Sequence, residues 1–166
     1  RVHALVQLDL GTVGFHGHNN RGLAVSNSLE ALQNGAQVLD GTAMGFGAGA
    51  GNAAVELLLA NLPDVAKESG VSLPSYFRAI EIGVRDFGIF APTVKPLSIL
   101  TGIHGIFSGF SRQITQASEL FNVPVEDICL ELSTHETVAG QEDLVFEIAA
   151  KLSLPDFIPR ADSRRA

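Results

Sequence analysis

Cysteine is nearly absent, basic residues are few and no apolar run is long, and each shortage removes a class of protein. With Cys129 as the only cysteine, the chain forms no internal disulfide and no thiolate-rich structural zinc site. That fits a reducing, cytoplasmic setting. No uninterrupted apolar stretch approaches the ~20 residues that a helical bilayer span requires. Lysine and arginine number 11 against 18 aspartates and glutamates, and the one basic cluster is terminal: Arg160, Arg164 and Arg165. A net charge of -7 therefore argues against a nucleic-acid partner, which demands a concentrated basic surface. The chain opens on Arg1 without a charged n-region, apolar h-region and cleavage site, so no export signal is expected and the start reads as lying inside a longer protein. A Walker loop, GxSxG and HExxH are also missing, and HETVA at His135 lacks its second histidine. Serine-hydrolase and zincin chemistry drop out.

What is present is 166 residues with 46% hydrophobic content, enough for a packed core. The pattern changes partway along. Thr12 to Phe15 read as a short buried strand, and Val25, Leu29 and Leu32 then recur at i, i+4, i+7 on one face of a helix that Gly35 can stop. Gln37 to Ala43 alternates as a second strand; after GFGAGAG, Asn52 is placed to cap a helix with Val55, Leu58, Leu59 and Leu62 as its stripe. Strand, helix, strand, helix with short links specifies parallel strands and right-handed crossovers. From residue 72 onward helical spacing dominates: Phe77, Ile80, Val84, Phe87; then Phe107, Phe110, Ile114, Ala117, Phe121; then Val125, Ile128, Cys129, Leu132 behind Pro124; then Leu144, Val145, Ile148. These read as packing stripes. FAPTVKPLSILTGIHG, punctuated by proline and glycine, is expected to be irregular, and the polar tail from Pro155 to be loosely held.

The residues with chemistry gather at the strand ends, where parallel α/β sheets bind ligands. In GFHGHNNRG, His16 and His18 are two apart, so on an extended strand both imidazoles face one point. Such a pair is either a metal site or the filling of a polar turn. Two imidazoles leave positions to be completed by carboxylate and water, a donor set that suits a catalytic divalent ion. GFGAGAGN offers a second ambiguity, because Gly45, Gly47 and Ala50 match a GxGxxA dinucleotide spacing. Asp64, the acid at about the right distance, follows Pro63 near a helix end and does not close a strand. The plainer reading is a loop stripped of side chains so that backbone can approach a ligand or neighbouring elements, delivering Asn52 beside the strand end.

Over residues 12 to 152 the chain closely resembles the 4-hydroxy-2-oxovalerate aldolases, within the superfamily of hydroxymethylglutaryl-CoA lyase and isopropylmalate synthase. The stretches that carry the likeness are FHGHNNRGLAVSNSLEALQNGAQVLDGTAMGFGAGAGNAAVE, GIHGIFSGFSRQITQASELFNVPVEDICLEL and AGQEDLV. The resemblance implies an α/β fold: residues 1–70 as the last two βα units of a (β/α)8 TIM barrel, 71–152 as an all-α C-terminal domain that contacts an acylating aldehyde dehydrogenase, and 153–166 as a tail. It also implies an oligomer and a role in aromatic hydrocarbon catabolism. His16 and His18 match the family's metal-binding histidines, and Asn52 an asparagine that binds the metal in the lyase branch. The implied reaction is retro-aldol cleavage of a 4-hydroxy-2-oxoacid to pyruvate and an aldehyde. A divalent ion, Mn2+ before Mg2+ or Co2+, would polarise the 2-oxo group and stabilise the enolate.

The family's base, arginine and third ligand come from an RDG motif that does not occur here, so no catalytic residue is assigned and this chain alone is expected to be inactive. Where the family reads GYxGVYSSF, this chain has Phe107 in place of the substrate-proximal tyrosine and a histidine at His104, removing one hydroxyl donor. Ala54 replaces a family proline. A condensing or lyase relative acting on another oxoacid, a non-catalytic module that docks the dehydrogenase, and a nicotinamide-binding loop are the competing readings.

Overall fold

The computed structural model describes residues 2–8, 11–138 and 140–154, and these divide into two compact units, Arg1–Val94 and Lys95–Ala166. The tail expected from residue 153 lies, from residue 155 on, outside the described residues.

In the first unit a short helix α1 (Val2–Val6) precedes strand β1 (Gly14–His16), helix α2 (Ala24–Gln33) and strand β2 (Val38–Asp40). The strands pair in parallel, with Gly14 opposite Val38, Phe15 opposite Leu39 and His16 opposite Asp40. The α/β class and the parallel order are thus as the sequence implies, in strands shorter than expected. β1 is largely exposed and not the buried strand that Thr12 to Phe15 suggested.

Helix α2 buries Ala24, Ser28 and Ala31, while Val25 and Leu29 border the same small core with Ala53 and Leu58. The apolar stripe read from the sequence is therefore rotated by one position. Small residues point inward because the strand turn comes very close: a Cβ at Gly17 would meet the Ala24 carbonyl oxygen at 3.2 Å and Ser28 Oγ at 3.3 Å. Ser28 resolves its own burial by donating to the Ala24 carbonyl at 2.9 Å. The helix stops at Asn34, and Gly35 takes the left-handed conformation that releases the chain.

Helices α3 (Val55–Asn61), α4 (Pro63–Glu68) and α5 (Leu73–Phe87) complete this unit. Ala54, not Asn52, occupies the N-cap of α3, and no side chain caps it. Helix α5 is well formed, with Ser72 accepting from Ser75 N–H and Gly88 closing the C-terminus. Its expected packing stripe is not buried: Phe77, Val84 and Phe87 are all exposed, Phe87 by 80%. Helix α5 belongs to the same compact unit as the strands, across the division from the helices that the sequence grouped it with.

The second unit is helical: α6 (Pro96–His104), a 3-10 turn at Ser108–Phe110, α7 (Ser111–Phe121), α8 (Val125–Leu132) and α9 (Glu142–Leu152). Helix α6 occupies the stretch expected to be irregular. Its punctuation marks are its ends, because Pro96 stands in the first turn, where a missing N–H costs nothing, and Gly105 forms the left-handed C-cap. Phe110, Ile114, Ala117, Ile128, Cys129, Leu132, Val145 and Ile148 form the core, as their spacing indicates. Phe107 is the exception: it lies 40% exposed with its ring edge against Phe110.

Two outcomes follow for this unit. Phe110→Ala removes a fully buried ring and is expected to cost ~3–5 kcal/mol, read as a drop in the denaturation midpoint. Burial, with a smaller contribution from the Glu126 charge, pushes the Cys129 thiol from 9.0 up to about 12. The folded state then holds a proton that the unfolded state releases, so this group stabilises fully below pH 9.0 and its contribution is lost as pH rises toward about 12. Cys129→Ser is expected to flatten the alkaline limb of a stability-against-pH curve.

Candidate metal centre

The parallel register sets His16 beside Asp40, and their side chains meet with His16 Nδ1 at 3.5 Å from Asp40 Oδ2. His18 follows on the same course. Its ring stands edge-on to that of His16, with centroids 4.9 Å apart and planes at 77°. The HxH spacing thus brings the two imidazole rings into edge-on contact at the strand end.

Asn52 arrives from the other side. Its segment crosses the strand ends, with Asn52 and His18 paired in an isolated antiparallel bridge and Ala54 and Thr42 in a parallel one. Backbone hydrogen bonds fasten this third segment to both neighbours: Ala53 N–H to the Gly17 carbonyl at 3.0 Å, Asn19 N–H to the Gly51 carbonyl at 2.8 Å, and Thr42 N–H to the Ala53 carbonyl at 3.0 Å. The Asn52 side chain donates from Nδ2 to the Phe46 carbonyl at 3.1 Å, which Thr42 Oγ1 also reaches at 2.7 Å. Oδ1 is the atom this leaves for a ligand, and it is the harder donor.

The glycine loop is what permits this arrangement. Gly51 has φ +79°, and a Cβ there would meet Pro92 Cγ at 2.6 Å and the Gly45 carbonyl oxygen closer still. A Cβ at Gly47 would strike Asn52 Nδ2. At Gly45 a Cβ would meet the Asn52 carbonyl oxygen at 2.8 Å, so both glycines of the GxGxxA spacing stand close against Asn52. A cavity of about 250 Å³ opens here, lined by Asn19, Met44, Asn52, Leu57 and Pro92 among others.

His104 and Phe107 belong to the second unit, His104 as the last residue of α6 and Phe107 just after it. Asp40 is the site residue that sequence reasoning passed over. The signal was available: it lies in the alternating run Gln37 to Ala43, in the strand that a parallel crossover sets beside the histidine strand. Among the described residues, no group of three or more His, Cys, Asp or Glu side chains is disposed to hold a metal ion. His16 and His18 are two imidazoles brought together at the end of β1, with Asn52 bridged to His18.

Comparison with known proteins gives two family matches: HMGL-like over residues 1–82 and the DmpG-like communication domain over residues 92–154. Among curated relatives, a 4-hydroxy-2-oxovalerate aldolase of Pectobacterium atrosepticum is 43% identical over 153 residues, 92% of this chain and 45% of the relative. 4-Hydroxy-2-oxovalerate aldolase 2 of Salinispora arenicola is 44% identical over 154 residues, 92% of this chain and 44% of the relative. A third, from Serratia proteamaculans, is 40% identical over 138 residues, 83% of this chain and 41% of the relative. The chain thus spans less than half the length of these curated relatives.

Gly51→Ala is expected to cost ~1–3 kcal/mol through left-handed strain and collision in the loop, measured by urea midpoint. His16→Ala and His18→Ala, both on exposed positions, should stay within ~0.5 kcal/mol of the parent in the same assay.

Proposed function

The chain belongs to the 4-hydroxy-2-oxovalerate aldolase family, and we propose that it supplies the metal-binding histidines of an aldolase that cleaves a 4-hydroxy-2-oxoacid to pyruvate and an aldehyde. One observation carries this reading: the convergence of the His16 and His18 rings at 4.9 Å on the strand end, with Asn52 bridged to His18. Residues 1–70 contribute two βα units to a (β/α)8 barrel. Residues 71–152 form the helical part that docks an acylating aldehyde dehydrogenase, supported by the DmpG-like communication-domain match at 92–154. The assembled enzyme is an oligomer. A single buried cysteine suits a reducing, cytoplasmic setting, and among the described residues no helix is long and apolar enough to cross a membrane.

The ion, Mn2+ in preference to Mg2+ or Co2+, supplies Lewis-acid polarisation of the substrate's oxo group. The chain's own residues divide the remaining work. His16 and His18 present imidazole nitrogens, and Asn52 offers Oδ1 because its amide nitrogen is committed to Phe46. The resemblance gives His104 and Phe107 as substrate-proximal, and with phenylalanine in place of a tyrosine this chain would give the substrate one hydrogen-bond donor fewer. The base for the C4 hydroxyl, an arginine and the carboxylate ligand belong to an RDG-bearing segment outside this sequence.

The test is pyruvate release, coupled to lactate dehydrogenase, from the longer protein with and without His16→Ala and His18→Ala. Either substitution should reduce turnover to background and remove Mn2+ binding while the fold persists. The 166-residue chain by itself should give no turnover. Turnover in the double variant, or from this chain alone at the rate of the longer protein, overturns the assignment.

A further inference from the structure

We infer that Asp40 is a positioning residue for the imidazole of His16, accepting a hydrogen bond from Nδ1–H and thereby presenting Nε2 to the ion. This rests on the proposal that His16 binds metal.

The first support is the register. In a parallel pair the backbone fixes the partner Cα positions, and His16 is the Cα partner of Asp40, with Nδ1 and Oδ2 at 3.5 Å. A small side-chain adjustment converts that separation into a hydrogen bond of ordinary length. The second support is independent of the side chains. Each of the two residues is followed by a glycine with no room for a Cβ. At Gly17 the Cβ would meet Phe15 Cε1 at 3.0 Å and the Ala24 carbonyl oxygen at 3.2 Å; at Gly41 it would meet Val55 Cγ2 at 2.8 Å and the Ala53 carbonyl oxygen at 3.0 Å. Both strand ends are thus seated against packed neighbours, which fixes the backbone positions from which the ring and the carboxylate project.

The chemistry selects positioning over ligation. Among the described residues His16, His18 and Asp40 are not grouped as three donors for one ion, and Asp40 Oδ2 lies 3.5 Å from His16 Nδ1. A neutral imidazole that donates from one nitrogen must keep its lone pair on the other, and a carboxylate at Nδ1 fixes that tautomer and raises the basicity of Nε2. Simple charge attraction contributes little here, because the two side chains are 46% and 64% exposed and solvent screens the pair. Orientation is the effect that survives exposure.

Two readouts test this in the longer protein that carries the remaining ligand. Nitrogen-15 NMR of the His16 ring, recorded above the ordinary histidine titration range near pH ~6.5, reports the tautomer without metal. Titration with Mn2+, followed by the loss of the free-ion EPR signal, reports affinity. The parent should hold His16 as the Nδ1–H tautomer; Asp40→Ala should shift it toward Nε2–H and weaken Mn2+ binding ~10–100-fold, with Asp40→Asn, which keeps an acceptor oxygen, losing less. An unchanged tautomer, or Mn2+ affinity in Asp40→Ala equal to the parent's, overturns the role of Asp40. A longer protein that binds no Mn2+ overturns the metal reading instead, and the tautomer in that parent and in its Asp40→Ala variant then decides the Asp40 contact by itself.

Discussion

Parallel pairing of two three-residue strands is the constraint on which the site depends. It sets His16 beside Asp40, and the course of the chain beyond β1 brings His18 and Asn52 together as bridge partners. None of these residues is held by a deep core of its own. The first unit's buried cluster is small, with Ala24, Ala53 and Leu58 at its centre, so precision comes from backbone hydrogen bonds and from close approach at glycines. Rigidity of that kind places a side chain without burying it, which a site open to substrate requires.

Chemistry-bearing residues were readable wherever local spacing decides geometry. His16 and His18 come together because period two is a property of any extended strand, and the second unit's core follows its helical stripes apart from Phe107. Readings failed where a distant neighbour decides. The buried face of α2 is turned toward Ala24 and Ser28 by the closeness of Gly17, which no periodicity within the helix reveals. Asn52 was taken for a helix cap on local grounds, yet its side chain is committed to Phe46 and its backbone is bridged to His18, across thirty-odd residues of intervening chain. Asp40 needed the register itself.

Proline and glycine misled in one direction. Pro96 and Gly105 were read as signs of irregularity, although the same residues stand at the two ends of a nine-residue helix. Capping residues and loop residues are the same amino acids, and only the length of apolar sequence between them separates the cases. The stripe of α5 is the opposite error. Its spacing is right for a helix, and the helix forms, but periodicity specifies an apolar face and is silent about what covers it.

The two units differ in what they have buried. Phe110, Ile114, Ile128, Leu132 and Val145 are fully enclosed in the second, whereas the first relies on alanines and one leucine. Local opening should therefore be easier around the histidine-bearing strands than in the second unit, because few large apolar contacts must be broken there. Amide exchange would fall unevenly on the two units, fastest in the stretch that carries His16, His18 and Asp40.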